Sequence, residues 1–174
     1  MKRAVFLDRD GVVNRAFVRN GVPVSPQSLN EVEILPGVKE SILLLHQHSF
    51  DIVIVTNQPD VARGLVTRDS VTKINELLKL DLGINHFYTC FHDDLDNCNC
   101  RKPEPGLILK AAHDLAIDVS RSSLVGDRWR DIAAGQSAGC KCFFIDYKYT
   151  ERSPPPPFTQ VSSLLEATRM ILER

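Results

Sequence analysis

Apolar residues in this chain come in short unbroken runs, separated by longer stretches in which they recur every three or four positions. Ala4-Val5-Phe6-Leu7 is the first run, and it breaks abruptly into Asp8-Arg9-Asp10-Gly11. A run without alternation predicts a strand covered on both faces, the pattern of a parallel sheet. A polar, proline-bearing loop is expected over about 15–35, after which Pro36-Gly37 opens a helix with Val38, Ile42 and Leu45 on one face. Residues 52–55 form a second buried-type strand ending in Thr56-Asn57-Gln58. Thr67 then caps an amphipathic helix carrying Val71, Ile74, Leu77 and Leu78, with Asp69 in the first turn, where the helix dipole favours it. A strand over 87–90 follows, then a turn bracketed by Pro103 and Pro105, a helix over 107–115 and a strand over 123–125 that stops at Gly126-Asp127. A helix over 132–138, a last strand over 142–145 and a closing helix over 161–173 complete the order, with 154–157 a stiff proline connector. Strand and helix in alternation predict an α/β fold, a Rossmann-like parallel sheet with helices on both faces.

The length of 174 residues, 43% apolar and 25% charged, suits a single domain over 1–174 with a core of its own. A net charge of −1 provides no long-range field for nucleic acid, and no apolar run approaches a membrane span, so neither partner is expected. Met1-Lys2-Arg3 is basic, but the apolar run after it is too short for a signal peptide, and a cytoplasmic monomer is the expectation. In that compartment the five cysteines should be reduced, which changes how their spacing is read.

Cys90-x-His92 and Cys98-x-Cys100 supply three thiolates and an imidazole, a complete tetrahedral Zn2+ set with no open position and hence a structural site. Without metal, the Asp93, Asp94, Asp96 and Asn97 between them have little to fold around, although a reduced, unliganded cluster has the same spacing. Cys140 and Cys142 flank an apolar strand with no further partner nearby and read as small core residues. At the other end of the chain, Asp8 and Asp10 stand where the first strand runs out, the place where open α/β sheets bind ligands. Both acids can address one phosphate or one cation there; an Asx turn with Gly11 accounts for the same four residues.

Polar residues recur at three strand ends, and a basic pair, Arg101-Lys102, precedes a helix. Together FLDRDG (6–11), VTNQ (55–58), CRKPEPG (100–106) and VGDRWRDI (125–132) resemble, in order, the four motifs of the haloacid dehalogenase-like phosphohydrolases, over roughly residues 3–146. The resemblance implies Mg2+-dependent phosphomonoester hydrolysis through an aspartyl phosphate. Asp8 is the expected nucleophile, because an ionised carboxylate needs no base to activate it. The Asp10 side chain is expected to protonate the leaving oxygen and later to take a proton from water. Mg2+ is expected on Asp8, Asp127 and the main-chain oxygen of Asp10, with Thr56, Asn57 and Lys102 around the transferred phosphoryl group. Standing alone, Thr56-Asn57 would read as a strand-terminal turn and Lys102 as a solvated surface charge; taken together with the aspartates they read as site residues. Asp131 either supports the metal or is a first-turn helix acid, and Arg128 stands where many relatives have lysine.

The zinc loop, 90–100, is similar to that of the branch containing the D-glycero-D-manno-heptose 1,7-bisphosphate and histidinol-phosphate phosphatases. Val61-Ala62-Arg63-Gly64 is similar to the heptose group, the short zinc loop to the histidinol group, and Pro59-Asp60 departs from the usual small residues. The expected substrate is a small phosphorylated metabolite, first a sugar bisphosphate, with histidinol phosphate or a macromolecular phosphoester as alternatives. Intervals 14–51 and 57–101 leave no room for an inserted cap domain, so a capless, open site is expected. Its specificity then rests on the 17–28 loop, Arg63 and Arg101, with surface solubility the competing role for Arg19 and Arg63.

Overall fold

The computed structural model describes residues 1–173. In chain order the elements are β1 (Ala4–Leu7), β2 (Phe17–Arg19), β3 (Val22–Val24), α1 (Val38–Gln47), β4 (Asp51–Asn57), α2 (Arg68–Leu82), β5 (His86–Cys90), α3 (Gly106–Leu115), β6 (Ser123–Gly126), α4 (Trp129–Ala138), β7 (Lys141–Ile145), β8 (Thr159–Val161) and α5 (Leu164–Leu172). Six strands form one sheet in the order β5-β4-β1-β6-β7-β8, and every pairing in it is parallel.

The unbroken apolar runs are explained by two cores, one on each face. Val5, Leu7, Ile52, Ile54 and Val125 point to the side covered by α1, α2 and α5, where Ile42, Leu45, Ile74, Leu78, Leu164 and Ile171 meet them. Ala4, Phe6, Val53, Val55 and Leu124 point to the other side, against Leu107, Ile108 and Ala111 of α3 and Ile132 of α4. Each such fully buried aliphatic side chain contributes ~1.5–3 kcal/mol, so exposure of either face would cost more than the fold can lose. Cys140 and Cys142 belong to the second core, as small apolar residues.

Four local expectations are corrected. The polar loop over 15–35 contains a hairpin, β2-β3, whose strands are largely exposed and therefore show no apolar alternation. Its signal was Asn20-Gly21, both with left-handed φ (52° and 75°), the pair a two-residue hairpin turn demands. The strand over 142–145 is not the last: β8 adds a parallel edge, too short and too exposed to carry a pattern, and takes Val161 from the closing helix, which starts after the Ser163 cap. Leu77 is 39% exposed and Leu82 completes the buried stripe of α2 instead. The helix over 132–138 begins earlier, at Trp129, which brings Arg130 and Asp131 into its first turn. Pro155, Pro156 and Pro157 of the proline connector are exposed as expected while Pro154 is buried, and Gln136 Nε2 holds the segment by donating to the carbonyls of Pro155 and Pro157.

Candidate active site

The strand order reverses at β1: the chain runs out through β4 to β5 and returns on the other flank of β1 as β6. A crevice opens at the carboxyl ends of strands at such a switch point. Asp8 follows β1, Thr56 and Asn57 end β4, and Asp127 follows β6, so one crevice collects all of them. The backbone N–H of Asp8 donates to Val125 O at 3.0 Å, fixing the two exits side by side.

Carboxylate oxygens of Asp8, Asp127 and Asp131 lie within 4.8 Å of one another, all buried. Gly11 makes this possible, because a Cβ there would stand 2.0 Å from Asp127 Oδ2. Lys102, 2% exposed, sits among them and is no solvated surface charge. Its Nζ is 2.6 Å from Asp8 Oδ1, 2.7 Å from Asp131 Oδ1 and 2.7 Å from Val55 O, which accounts for its three protons. Burial works against its charge, but Asp131 and Asp8 hold the ammonium protonated, well above the usual lysine range.

One ammonium among three carboxylates leaves two negative charges uncompensated. Burial pushes Asp8 up to about 7, with Lys102 pulling it down and Asp131 and Asp10 adding to the rise. Burial, then the charges of Asp8 and Asp131, also push Asp127 well above the usual carboxylate range. Asp127 Oδ1 is buried without a hydrogen-bond partner. Hard oxygen donors, a deficit of two positive charges and an orphaned oxygen together fit a divalent cation of the Mg2+ type.

Asp10 lies outside that cluster but lines the same cleft, a cavity of about 50 Å3 bordered by Asp8, Asn57, Lys102, Arg128 and Arg130. Its Oδ1 accepts from Arg9 Nε and Asn14 Nδ2, and its Oδ2 from Arg9 Nη2, Ser25 Oγ and Gln58 Nε2. Burial raises the Asp10 carboxyl, but the Arg9 charge and these hydrogen bonds outweigh it and leave Asp10 below its usual value. Arg9 is itself fully buried and anchored through Asn75 to Thr89.

The remaining motif residues occupy distinct places. Thr56 is buried, with Oγ1 accepting from Gln58 Nε2. Asn57 grips the Lys102 backbone from both sides, donating to its O at 3.0 Å and accepting from its N–H at 3.1 Å. Asp131 caps α4 by accepting from Arg128 N, the first-turn role, and also holds Lys102.

Arg63, Arg101, Arg128 and Arg130 surround an adjoining cavity of about 250 Å3, floored by Asn57 and walled by the hairpin residues 22–25. Each is carboxylate-paired. Arg63 makes a two-pronged contact with Asp93 at 2.8 and 2.8 Å, Arg101 Nε donates to Asp94 at 2.9 Å, Arg130 Nη1 donates to the same Asp94 at 3.0 Å, and Arg128 pairs with Glu151 at 2.7 Å. Arg19 is not among the residues lining it.

Asp93 and Asp94 belong to the loop between Cys90 and Cys100. Cys90 Sγ is 3.7 Å from Cys98 Sγ and 3.1 Å from Cys100 Sγ, Cys98 and Cys100 are 3.4 Å apart, and His92 Nδ1 is 3.5 and 3.3 Å from Cys90 and Cys100. A tetrahedral zinc site with bonds of about 2.3 Å to sulfur has edges of ~3.5–3.8 Å, so this donor set closes on Zn2+ when the Cys90–Cys100 edge opens by roughly 0.6 Å and the others move by a few tenths of an ångström.

Several residues at the site escaped the sequence reading. Gln58 and Arg130 lie inside two of the motifs beside the residues assigned there, and Arg9 stands between the two acids with no assigned role. Ser25 and Tyr149 sit on segments with no motif, and only tertiary folding brings them in.

A family profile, haloacid dehalogenase-like hydrolase, matches residues 26–139. The chain is 32% identical over 152 residues to the D-glycero-beta-D-manno-heptose-1,7-bisphosphate 7-phosphatase of Pasteurella multocida (strain Pm70), covering 81% of this chain and 79% of the relative. It is 34% identical over 151 residues to the enzyme of the same name from Bordetella bronchiseptica, covering 82% and 80%. Among solved structures, the D,D-heptose 1,7-bisphosphate phosphatase of B. bronchiseptica, complexed with magnesium and phosphate, superimposes with a TM-score of 0.85 at 28% identity over 98% of both chains. A HAD-like phosphatase from Mesorhizobium loti gives 0.76 at 28% identity, over 99% of this chain and 86% of the other. With its sheet order, its buried aspartates at the ends of β1 and β6 and its lysine between them, the chain belongs to the haloacid dehalogenase-like hydrolase family.

Proposed function

We propose that this chain is a Mg2+-dependent phosphatase that removes one phosphate from a small sugar bisphosphate, D-glycero-D-manno-heptose 1,7-bisphosphate or a close relative, through an aspartyl phosphate on Asp8. The observation that carries the reading is the buried Asp8–Lys102–Asp131 chain beside the orphaned Asp127 oxygen, opening onto a cavity ringed by arginines. Held by Asp8, Asp127 and the main-chain oxygen of Asp10, Mg2+ would supply the two missing positive charges and polarise the phosphoryl oxygens.

The chain's own groups then divide the work. Lys102 fixes Asp8 through Oδ1, leaving Oδ2 to attack phosphorus in line with the ester oxygen. The bond from phosphorus to the sugar oxygen breaks, and that oxygen takes a proton from Asp10. Arg9 favours ionised Asp10 in the free protein; an incoming phosphoryl dianion raises the proton affinity of the carboxyl again. Water next attacks the aspartyl phosphate and gives its proton to Asp10, and the departing inorganic phosphate restores Asp8. The Thr56 hydroxyl, whose oxygen already accepts from Gln58, has its proton free for a phosphoryl oxygen. Asn57 positions Lys102 through the backbone, which adds to the substrate contact expected of it.

In the same reading the second phosphate enters the 250 Å3 cavity and competes for the guanidinium groups of Arg63, Arg101, Arg128 and Arg130. Cys90, His92, Cys98 and Cys100 hold a structural Zn2+ that keeps Asp93 and Asp94, and through them three of these arginines, in place. The phosphatase is one domain containing the zinc loop, and its five unpaired thiols suit the cytoplasm. Asp60 and Asp94, which line the same cavity, favour a second reading, a cationic monophosphate such as histidinol phosphate.

Phosphate release measured with Mg2+ across sugar mono- and bisphosphates and histidinol phosphate tests both. The first reading expects a sugar bisphosphate to have the highest kcat/KM. Preference for histidinol phosphate establishes the second, and absence of Mg2+-dependent release from every substrate ends both.

A further inference from the structure

After β7 the chain does not leave the site. Tyr147, Tyr149 and Glu151, spaced two apart, return to it in succession. Tyr147 Oη donates to Gly11 O at 3.0 Å, Tyr149 Oη donates to Asp127 Oδ2 at 2.8 Å, and Glu151 accepts from Arg128 at 2.7 Å. The segment is held from outside as well, with Thr150 N–H donating to Gly21 O of the hairpin and Arg152 stacked 3.4 Å over the Trp129 ring.

We propose that Tyr149 is the positioning residue for the metal-binding carboxylate, its hydroxyl occupying Asp127 Oδ2 so that Oδ1 alone remains to bind the cation. The inference rests on the Mg2+ reading above and assigns a role to a residue outside every motif. Three observations support it. The two oxygens of Asp127 are unequal, one taken by Tyr149 and the other buried without a partner. Oδ2 is confined further by Gly11, where the path of the backbone leaves no space for even a Cβ, and Tyr147 holds that backbone through the Gly11 carbonyl. The two tyrosine rings pack with centroids 5.6 Å apart, so the hydroxyl of Tyr149 is aimed by a neighbour that also grips the other wall. A carboxylate free to rotate presents either oxygen, whereas one pinned through Oδ2 meets the cation with a single oriented lone pair, and hydrogen bonds of this kind set ligand geometry and metal affinity.

Tyr149→Phe removes one oxygen atom and keeps the ring contact with Tyr147. Mg2+ binding is measured calorimetrically on wild type and variant freed of Mg2+ but retaining Zn2+, Mn2+ binding by electron paramagnetic resonance, and the melting temperature without Mg2+ alongside. The expected result is a rise of roughly ten-fold in both dissociation constants, with a parallel rise in the Mg2+ concentration for half-maximal turnover. Unchanged metal affinity overturns the inference whether or not the melting temperature falls, since a merely structural hydroxyl would alter only the latter. If wild type itself binds no Mg2+, the metal reading falls and this inference with it, whereas a wild type that binds and a variant that binds equally refute the inference alone. Tyr149→Met, which also lacks the hydroxyl, makes the same comparison if the Phe variant is not recovered folded.

Discussion

Lys102 Nζ donates to Asp8 Oδ1 at 2.6 Å, a contact between residues 94 positions apart that ties the start of the sheet to the entry of α3. The ammonium suits this place better than a guanidinium would. Its three protons diverge toward Asp8, Asp131 and the Val55 carbonyl, whereas the N–H groups of an arginine are fixed in one plane. The pairing stabilises two buried acids and fixes the orientation of Asp8, the proposed nucleophile.

Lys102→Met should therefore unfold more easily in the absence of metal, by ~3–5 kcal/mol, the cost of leaving buried charges without their partner. Urea denaturation with a chelator present measures it, and added Mg2+ should recover part of the loss by neutralising the same acids. A loss under ~1 kcal/mol, the scale of an exposed pair, would contradict the buried arrangement.

Asp8→Asn should retain the fold and lose turnover to below ~1% of wild type, since the amide has almost the same volume but does not attack phosphorus. The variant also removes one of three clustered negative charges. Its unfolding midpoint without Mg2+ should thus be no lower than that of wild type. Substantial residual turnover would remove Asp8 as the nucleophile.

The parts of this site legible in the sequence are those set by local pattern. Ala4 to Leu7 declares a two-sided strand, and Asp8 must then lie at its end. The spacing of Cys90, His92, Cys98 and Cys100 declares a four-donor cluster without reference to the fold. What stayed hidden depends on contacts across long separations. Arg9 is flanked by two acids and reads as a surface residue until α2 supplies Asn75 to receive it in the interior. Asp131 offers a choice between capping and support until Lys102 arrives from another segment. The hairpin is obscure for the opposite reason: its local signal, Asn20-Gly21, is present, but its exposed strands lack the alternation that marks a strand.

Protein purified without chelator should contain one zinc per chain, and Cys98→Ala should lose it and melt at a lower temperature. Elemental analysis checks the first point, and a zinc-free preparation of full stability would dispose of the structural role. Loss of the loop should also release Asp93 and Asp94, which order Arg63, Arg101 and Arg130. The chemical step proposed at Asp8 touches that network only through the Lys102 backbone, so KM for a bisphosphate should rise more than kcat for an activated aryl phosphate falls.

Substrate choice is tested most directly at Arg101, which is 9% exposed, borders the arginine-lined cavity and is joined in sequence to the zinc-cluster residue Cys100 and to Lys102. Its guanidinium is held by Asp94, which also holds Arg130, so removing Arg101 leaves that carboxylate paired and the loop intact. A cation that meets only the non-reacting phosphate contributes to binding of that group and not to the attack by Asp8. Arg101→Ala should then reduce kcat/KM for a sugar bisphosphate by ~2–3 kcal/mol, the scale of a charge-assisted hydrogen bond. For the corresponding monophosphate, which carries no second phosphate for the guanidinium to meet, the loss should stay under ~1 kcal/mol. Measuring both substrates on wild type and variant yields the interaction term between side chain and distal phosphate. Equal losses on the two would assign Arg101 to the transferred phosphoryl group or to the fold, and the bisphosphate reading would lose the contact that distinguishes it from a monophosphatase.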